Sequence, residues 1–269
     1  MKTFISRFIT TAFFLLLVVF TIFIAPTWFF SLVCIVLIGL ALYEFYSMVE
    51  KKELSVYRYF GLVLGITVPL STHLKVGSVI AHIEPMLIVI ICLFTVMIQL
   101  TRRDNSQALK RMSITLFGIL YISWLFSFLI KIKFLPQGSL LCAFLILVTK
   151  GGDIGAYIVG SAIGRHALIP RISPKKSIEG FVGGIMFSFV LALLFKPFLD
   201  FVSFYHVIIS GLLLGVLAQM GDLSESLMKR DCGVKDTGAI FPGLGGALDV
   251  LDSLLFTTPV FYFYVKAFF

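Results

Sequence analysis

Charge is what this chain has least of. Of its 269 residues only 13% are Asp, Glu, Lys or Arg, about half of the roughly 25% usual for a globular domain. A soluble fold needs a charged skin, and there are too few charges here to make one. Cysteine is scarce too. Cys34, Cys92, Cys142 and Cys232 stand far apart with no CxxC pair, so neither a disulfide framework nor a zinc site is suggested, and they read as small buried apolar residues. No GxGxxG run occurs, and no GxxxxGK followed by Ser or Thr, so no soluble nucleotide-binding fold is signalled. An internal repeat and a low-complexity linker are missing as well.

What fills the chain instead is apolar. Hydrophobic residues reach 59%, Phe alone supplies 29, and the mean hydropathy is +1.05. A bilayer core takes about 20 mostly apolar residues per helix. Runs of this kind predict an all-α, polytopic membrane protein of about nine transmembrane helices: Phe8 to Ala25, Trp28 to Val49, Tyr59 to Thr72, Pro85 to Leu100, Ser113 to Ile130, Ser139 to Gly164, Ile178 to Phe195, Phe201 to Met220 and Leu248 to Phe268. Lys2 and Arg7 before the first run resemble a signal peptide, but the run is long, lacks an A-x-A site and leads straight into another span. It reads as retained.

With a cytoplasmic N-terminus, sixteen Lys and Arg fall on one side and five on the other, with Lys150 inside a span. That asymmetry is the positive-inside pattern and predicts an inner-membrane protein oriented by it. The net charge of +8 therefore reports orientation and contact with anionic membrane lipids. Nucleic acid is excluded as a partner, since no soluble basic domain exists to hold it. A homodimer is compatible with the pattern.

The chemistry shifts along the chain. Residues 1–138 are apolar spans with short charged turns and read as scaffold. Residues 139–269 carry charge inside or beside their helices and read as a catalytic region with a cytoplasm-facing polar site. Asp222, Glu225 and Ser226 are spaced i, i+3, i+4 and share one helix face, and Asp249 and Asp252 are spaced i, i+3. Two such faces brought together form an all-oxygen cage suited to Mg²⁺ rather than zinc. Lys229, Arg230, Lys235 and the glycines at 233, 238, 243, 245 and 246 supply the cations and exposed N–H groups that phosphate oxygens require. Acid for a metal and base for phosphate imply a metal–polyphosphate substrate. The bland reading is that these carboxylates cap helices and these cations orient them.

A second constellation starts at Lys150 and Asp153, close enough to pair on one helix face, with Gly151, Gly152 and Gly155 leaving room for packing or a ligand. Locking two helices by a buried ion pair is the competing account. The run SPKKSIEG then sets Ser173, Lys176, Ser177 and Glu179 just before a helix whose N-terminus favours anions; its competing account is a loop with orienting lysines. His73, His82, His166 and His206 are dispersed. Glu44, with Tyr43 and Tyr46 near the end of the second span, reads as an interfacial or packing feature.

The segment SLMKRDCGVKDTGAIFPGLGGALDVLD from Ser226 to Asp252 resembles the signature of the phosphatidate cytidylyltransferase (CDP-diacylglycerol synthase) family. Upstream, Asp153, Ala156 and Tyr157, Gly164 and Arg165, and the SPKKSIEG run are similar to that family's other shared segments, in the same order. The likeness covers roughly the half beyond residue 145. Leu244 stands where the family has His, and Val250 where it has Arg. The resemblance implies transfer of the cytidylyl group of CTP to phosphatidate, giving CDP-diacylglycerol and pyrophosphate with Mg²⁺. It implies that Asp222, Asp249 and Asp252 hold the metal, with Ser226 nearby, and that Lys229, Arg230 and Lys235 neutralise the CTP phosphates. Asp236 would orient a lysine. Ser173, Lys176 and Ser177 would bind a substrate phosphate, with Asp153 and Glu179 beside them. A cation-coupled transporter, a CTP-dependent polyprenol-type kinase and a CDP-alcohol phosphotransferase are the alternatives, the last weakened by the lack of a DGxxAR run.

Overall fold

A computed structural model describes residues 15–52, 54–74, 83–103, 105–241 and 245–269. The backbone is helical from 15 to 23, and then forms α1 (Thr27–Glu50), α2 (Arg58–Leu74), α3 (Ile83–Leu100) and α4 (Ala108–Lys133), whose middle turn Ile119–Trp124 is π-helical. Then follow α5 (Gly138–Ile163), a hairpin of β1 (Ala167–Ile169) and β2 (Ser173–Ser177), α6 (Ile178–Phe195), α7 (Phe204–Asp231) and α8 (Ala247–Phe268). Among the described residues six helices are long and apolar enough to cross a membrane: α1, α4, α5, α6 with the turn Lys196–Phe198, α7 and α8. This is a multi-pass membrane protein. The 17-residue α2 and the apolar stretch Glu84–Leu100 of α3 fall below that length, and the expected first span starts outside the described residues.

The bilayer explains an otherwise odd surface. Leu194, Ile154, Val182 and Phe263 are all more than half exposed, which is costly in water and neutral against lipid tails. Many polar groups turn inward instead, among them Glu44, Thr115, Ser188 and Glu225, where partners offset the cost of burying them.

The chain divides into two compact units. The first is Met1–Phe134 with Cys232–Val250, and the second is Leu135–Asp231 with Leu251–Phe269, so the division falls within the first turn of α8. In the first unit α1, α2 and α4 pack around Tyr46, which is fully buried and donates its hydroxyl to Thr115 O at 2.9 Å. A Cβ on Gly61 or Gly118 would sit 2.6–2.8 Å from that hydroxyl, so both helices need glycine to close on the ring. Glu84 of α3 accepts from Lys131 at 2.5 Å and from Thr72 at 3.2 Å, which pairs a charge in an otherwise apolar layer.

In the second unit α5, α6 and α7 meet through small residues, as membrane helices do where burial alone supplies little drive. Gly152 and Gly215 both face Ser188, Gly211 faces Ala192, and the Ser188 hydroxyl donates to Val148 O at 2.9 Å. On α8, Phe261 packs against Phe144 with ring centroids 5.6 Å apart. The hairpin is an element the all-helical expectation did not contain. β1 and β2 pair antiparallel, Ala167 opposite Ser177 and Ile169 opposite Ser173. Glu179, in the first turn of α6, fastens it by accepting from the backbone N–H groups of Arg165 (3.1 Å) and His166 (3.3 Å), and its other oxygen meets His166 Nδ1 at 2.6 Å.

Candidate active site

In the second unit three helices and one strand bring charge together. Lys150, halfway along α5, extends its ammonium to Asp153 Oδ2 (3.3 Å), Asp252 Oδ1 (3.3 Å) and Ser253 Oγ (2.7 Å). Ser253 in turn donates to Asp153 Oδ2 at 2.8 Å, and its backbone N–H reaches Asp252 Oδ1 at 2.6 Å. On α7, Asp222 forms an ion pair with Lys176 of β2 at 2.6 Å, and it lies within electrostatic reach of both Asp153 and Asp252. Three carboxylates thus face two ammonium groups, leaving a surplus of one negative charge. α7 comes so near α8 that a Cβ on Gly221 would press on the Asp252 carbonyl oxygen at 2.5 Å.

A cavity of about 480 Å³ opens beside this cluster. Its polar lining includes Asp153, Lys175, Lys176, Ser177, Gln219 and Asp222, and its apolar lining includes Tyr157, Leu168 and Phe181. Asp153 Oδ1 and Gln219 Nε2 are buried with no hydrogen-bond partner among the described residues. The Ser177 hydroxyl caps α6 by accepting from Gly180 N at 3.1 Å. Further along α7, Lys229 pairs with the fully buried Glu225 at 3.2 Å, and Arg230 Nε donates to Ile172 O at 3.2 Å, tying the hairpin turn to the helix. Ser226 is half-buried on the same helix.

In the first unit the segment after α7 forms a second structure. Phe241 and Gly245 exchange both backbone hydrogen bonds (2.9 and 3.1 Å); Pro242, Gly243 and Leu244 lie outside the described residues. Gly245 has φ +96°, a conformation that costs residues with a Cβ dearly. Asp249 Oδ2 gathers the loop, accepting from Gly246 N (2.8 Å), Thr237 Oγ1 (3.0 Å) and Thr237 N (3.3 Å). As the third residue of α8 reaching back to the N–H just before it, Asp249 supplies the acidic half of a capping box. Lys235 and Asp236 stand exposed on this segment, and Val250 is half-buried one residue beyond Asp249.

The structure therefore brings Asp153, Lys176, Ser173, Ser177, Asp222 and Asp252 into one polar centre in the second unit. Asp249, Lys235 and Asp236 belong to the loop of the first. Glu179 spends both of its oxygens on the hairpin. Among the described residues no three His, Cys, Asp or Glu side chains converge closely enough to hold one ion. Oxygen donors, a surplus negative charge and the free Asp153 Oδ1 nonetheless suit a hard divalent cation. Sequence reasoning missed Gln219 and Ser253, which carry no local signal. The Lys150–Asp153 spacing was the readable part of the cluster.

A many-span membrane protein with a polar, lysine- and carboxylate-lined cavity beside apolar helix faces is suited to act on an anionic lipid. The sequence profile of the cytidylyltransferase family matches residues 5–268. Aligned relatives include the phosphatidate cytidylyltransferase of Bacillus subtilis (35% identical, 86% of each chain) and that of Synechocystis sp. (30% identical, 91% of each chain). A protein of uncharacterised function from Escherichia coli, YnbB, is 37% identical over 56% of this chain and about half of its own length. The chain belongs to the cytidylyltransferase family.

Proposed function

We propose that the protein transfers the cytidylyl group of CTP to phosphatidate, releasing pyrophosphate and CDP-diacylglycerol for phospholipid biosynthesis. The observation that carries this reading is the cavity lined both by the Lys176–Asp222 ion pair and by apolar side chains such as Tyr157, Leu168 and Phe181. An ionised headgroup fits the polar side and acyl chains the other.

The phosphatidate phosphate has an ionised oxygen at neutral pH, so no general base is needed. That oxygen forms a bond to the α-phosphorus of CTP, the bond from that phosphorus to the bridging oxygen breaks, and pyrophosphate leaves with the electron pair. Positioning and charge neutralisation are the protein's work. Lys176, with the hydroxyls of Ser173 and Ser177, holds the lipid phosphate, and Gln219 Nε2 donates to the same headgroup. Lys229, Arg230 and Lys235 neutralise CTP phosphates and the leaving group, with Asp236 orienting Lys235. Asp222 and Asp252 would hold Mg²⁺, directly or through water, with Asp153 and Ser226 beside them. When bound, the ion offsets charge on the phosphates. Asp249, expected as a third ligand, has one oxygen committed to the loop, and we assign it the shaping of that loop. The catalytic segments face the cytoplasm, where CTP is, and the remaining apolar helices complete about nine spans in the inner membrane.

The test is purified protein in detergent with Mg²⁺, CTP and phosphatidate, assayed for pyrophosphate and CDP-lipid. Both are expected in equal amounts, and Asp222→Asn and Asp252→Asn abolish them. CDP with a phosphorylated lipid would identify a kinase instead, and no product of either kind would overturn the reading. Lys51 and Lys110 are exposed outside the site. Lys51→Ala and Lys110→Ala are expected to leave kcat/KM within about twofold, as surface changes away from functional features do.

A further inference from the structure

Glu44 lies in α1, far in sequence from every segment assigned to the reaction, yet it is 97% buried, with only 3% of its surface exposed. A carboxylate held there within a membrane helix is costly unless something compensates it. Its Oε2 accepts from Leu248 N at 3.0 Å and from Thr237 Oγ1 at 3.1 Å. Leu248 N is one of the N–H groups that the start of α8 leaves without an intrahelical acceptor. Thr237 Oγ1 is also 3.0 Å from Asp249 Oδ2. One hydroxyl proton is therefore placed between two carboxylates, and it joins them into a single unit with the loop. Glu44 Oε1 is buried with no hydrogen-bond partner among the described residues. The backbone is shaped around this side chain, since a Cβ on Gly238 would collide with Oε1 and one on Gly246 with Oε2. Both glycines are part of the segment that carries Lys235, Asp236 and Asp249.

We propose that Glu44 is a positioning residue for nucleotide transfer: it clamps the Thr237–Asp249 segment from the helix bundle of the first unit and sets where Lys235 and Asp236 meet CTP. This rests on the assignment of those two residues to CTP. The two Glu44 bonds reach Thr237, before Phe241, and Leu248, after Gly245, so the clamp holds the segment on both sides of the Phe241–Gly245 pair. Glu44 itself touches no substrate. Its loss acts through geometry, and a displacement of about 1 Å at reacting groups is enough for about a hundredfold loss of rate.

The experiment compares wild type, E44A and E44Q as full-length protein in lipid nanodiscs. Hydrogen–deuterium exchange is read over 237–249 and over α5 to α7, and kinetics are read separately for CTP and phosphatidate. In E44A, exchange over 237–249 is expected to rise about tenfold or more, as when a local opening loses its closing contact, while α5 to α7 stay protected. The CTP KM is expected to rise about tenfold and that for phosphatidate to stay within about twofold, because only nucleotide positioning is lost. E44Q keeps an oxygen that accepts from Leu248 N and restores much of the protection, and it carries the test should E44A not accumulate as folded protein. Unchanged exchange over 237–249 would overturn the proposal, as would exchange rising equally throughout the chain or the two KM values moving together. The exchange measurement does not depend on turnover, so it decides on Glu44 even if the wild-type protein makes no CDP-lipid.

Discussion

Lys150→Met is expected to lower stability by about 3 kcal/mol, the low end for breaking a buried ion pair because the ammonium retains some exposure, and to abolish CTP turnover. The ammonium is shared by Asp153, Asp252 and Ser253. Without it, Asp153, Asp222 and Asp252 face one another with Lys176 as the one remaining ion-pair partner among the described residues. Thermal unfolding in detergent, followed by intrinsic fluorescence, should show a Tm lower by about 6–12 °C, at about 2–4 °C per kcal/mol for a chain of this size. The double variant Lys150→Met, Asp252→Asn should recover much of that loss, since it removes one of the repelling charges, and should remain inactive. A Lys150→Met protein as stable as wild type would mean that the cluster is neutralised from elsewhere. Recovery of activity in the double variant would remove Asp252 from the catalytic set.

Lys176→Met is expected to separate function from stability. Lys176 pairs with Asp222 alone, whereas Lys150 is shared by three partners, so folding should suffer less than in Lys150→Met. kcat/KM for phosphatidate should fall about 10²–10³-fold, the usual cost of removing one donor aimed at developing charge. Lys176→Arg keeps the charge with a broader fork and is expected to fall between the two. The check is steady-state kinetics with each substrate varied in turn. If the loss appears in the CTP KM and not in the phosphatidate KM, Lys176 belongs to the nucleotide and the lipid phosphate lies elsewhere.

Hydropathy alone located the helices well. The expected run Ile178 to Phe195 is α6 to the residue, and Ser139 to Gly164 is α5 to within one at each end. Where the polarity changed, prediction stopped early. The span expected to end at Met220 continues as helix to Asp231, because GDLSESLMKR is as good a helix former as the apolar run before it and only its hydropathy falls. The hairpin went unseen for the opposite reason: SPKKS lacks the alternation that marks a strand, and its pairing is held by Glu179, outside the strand itself. Candidate residues followed the same division. Lys150 and Asp153 announce themselves by an i, i+3 spacing, but Asp252 and Ser253 join them from more than a hundred residues away. Glu44 bonds partners 193 and 204 positions distant, and nothing in its immediate neighbours distinguishes it from a residue that merely packs.

With Lys176 assigned to the lipid phosphate as proposed, its salt bridge to Asp222 would set an entry threshold. A visiting headgroup must outcompete a carboxylate already in contact with that ammonium. A phosphomonoester bearing nearly two negative charges at neutral pH has the stronger pull. A phosphodiester lipid bears one, no more than the aspartate it would displace, and gains little by the exchange. On that assignment, bulk anionic lipids of the surrounding bilayer would be turned away by charge alone, without any steric gate.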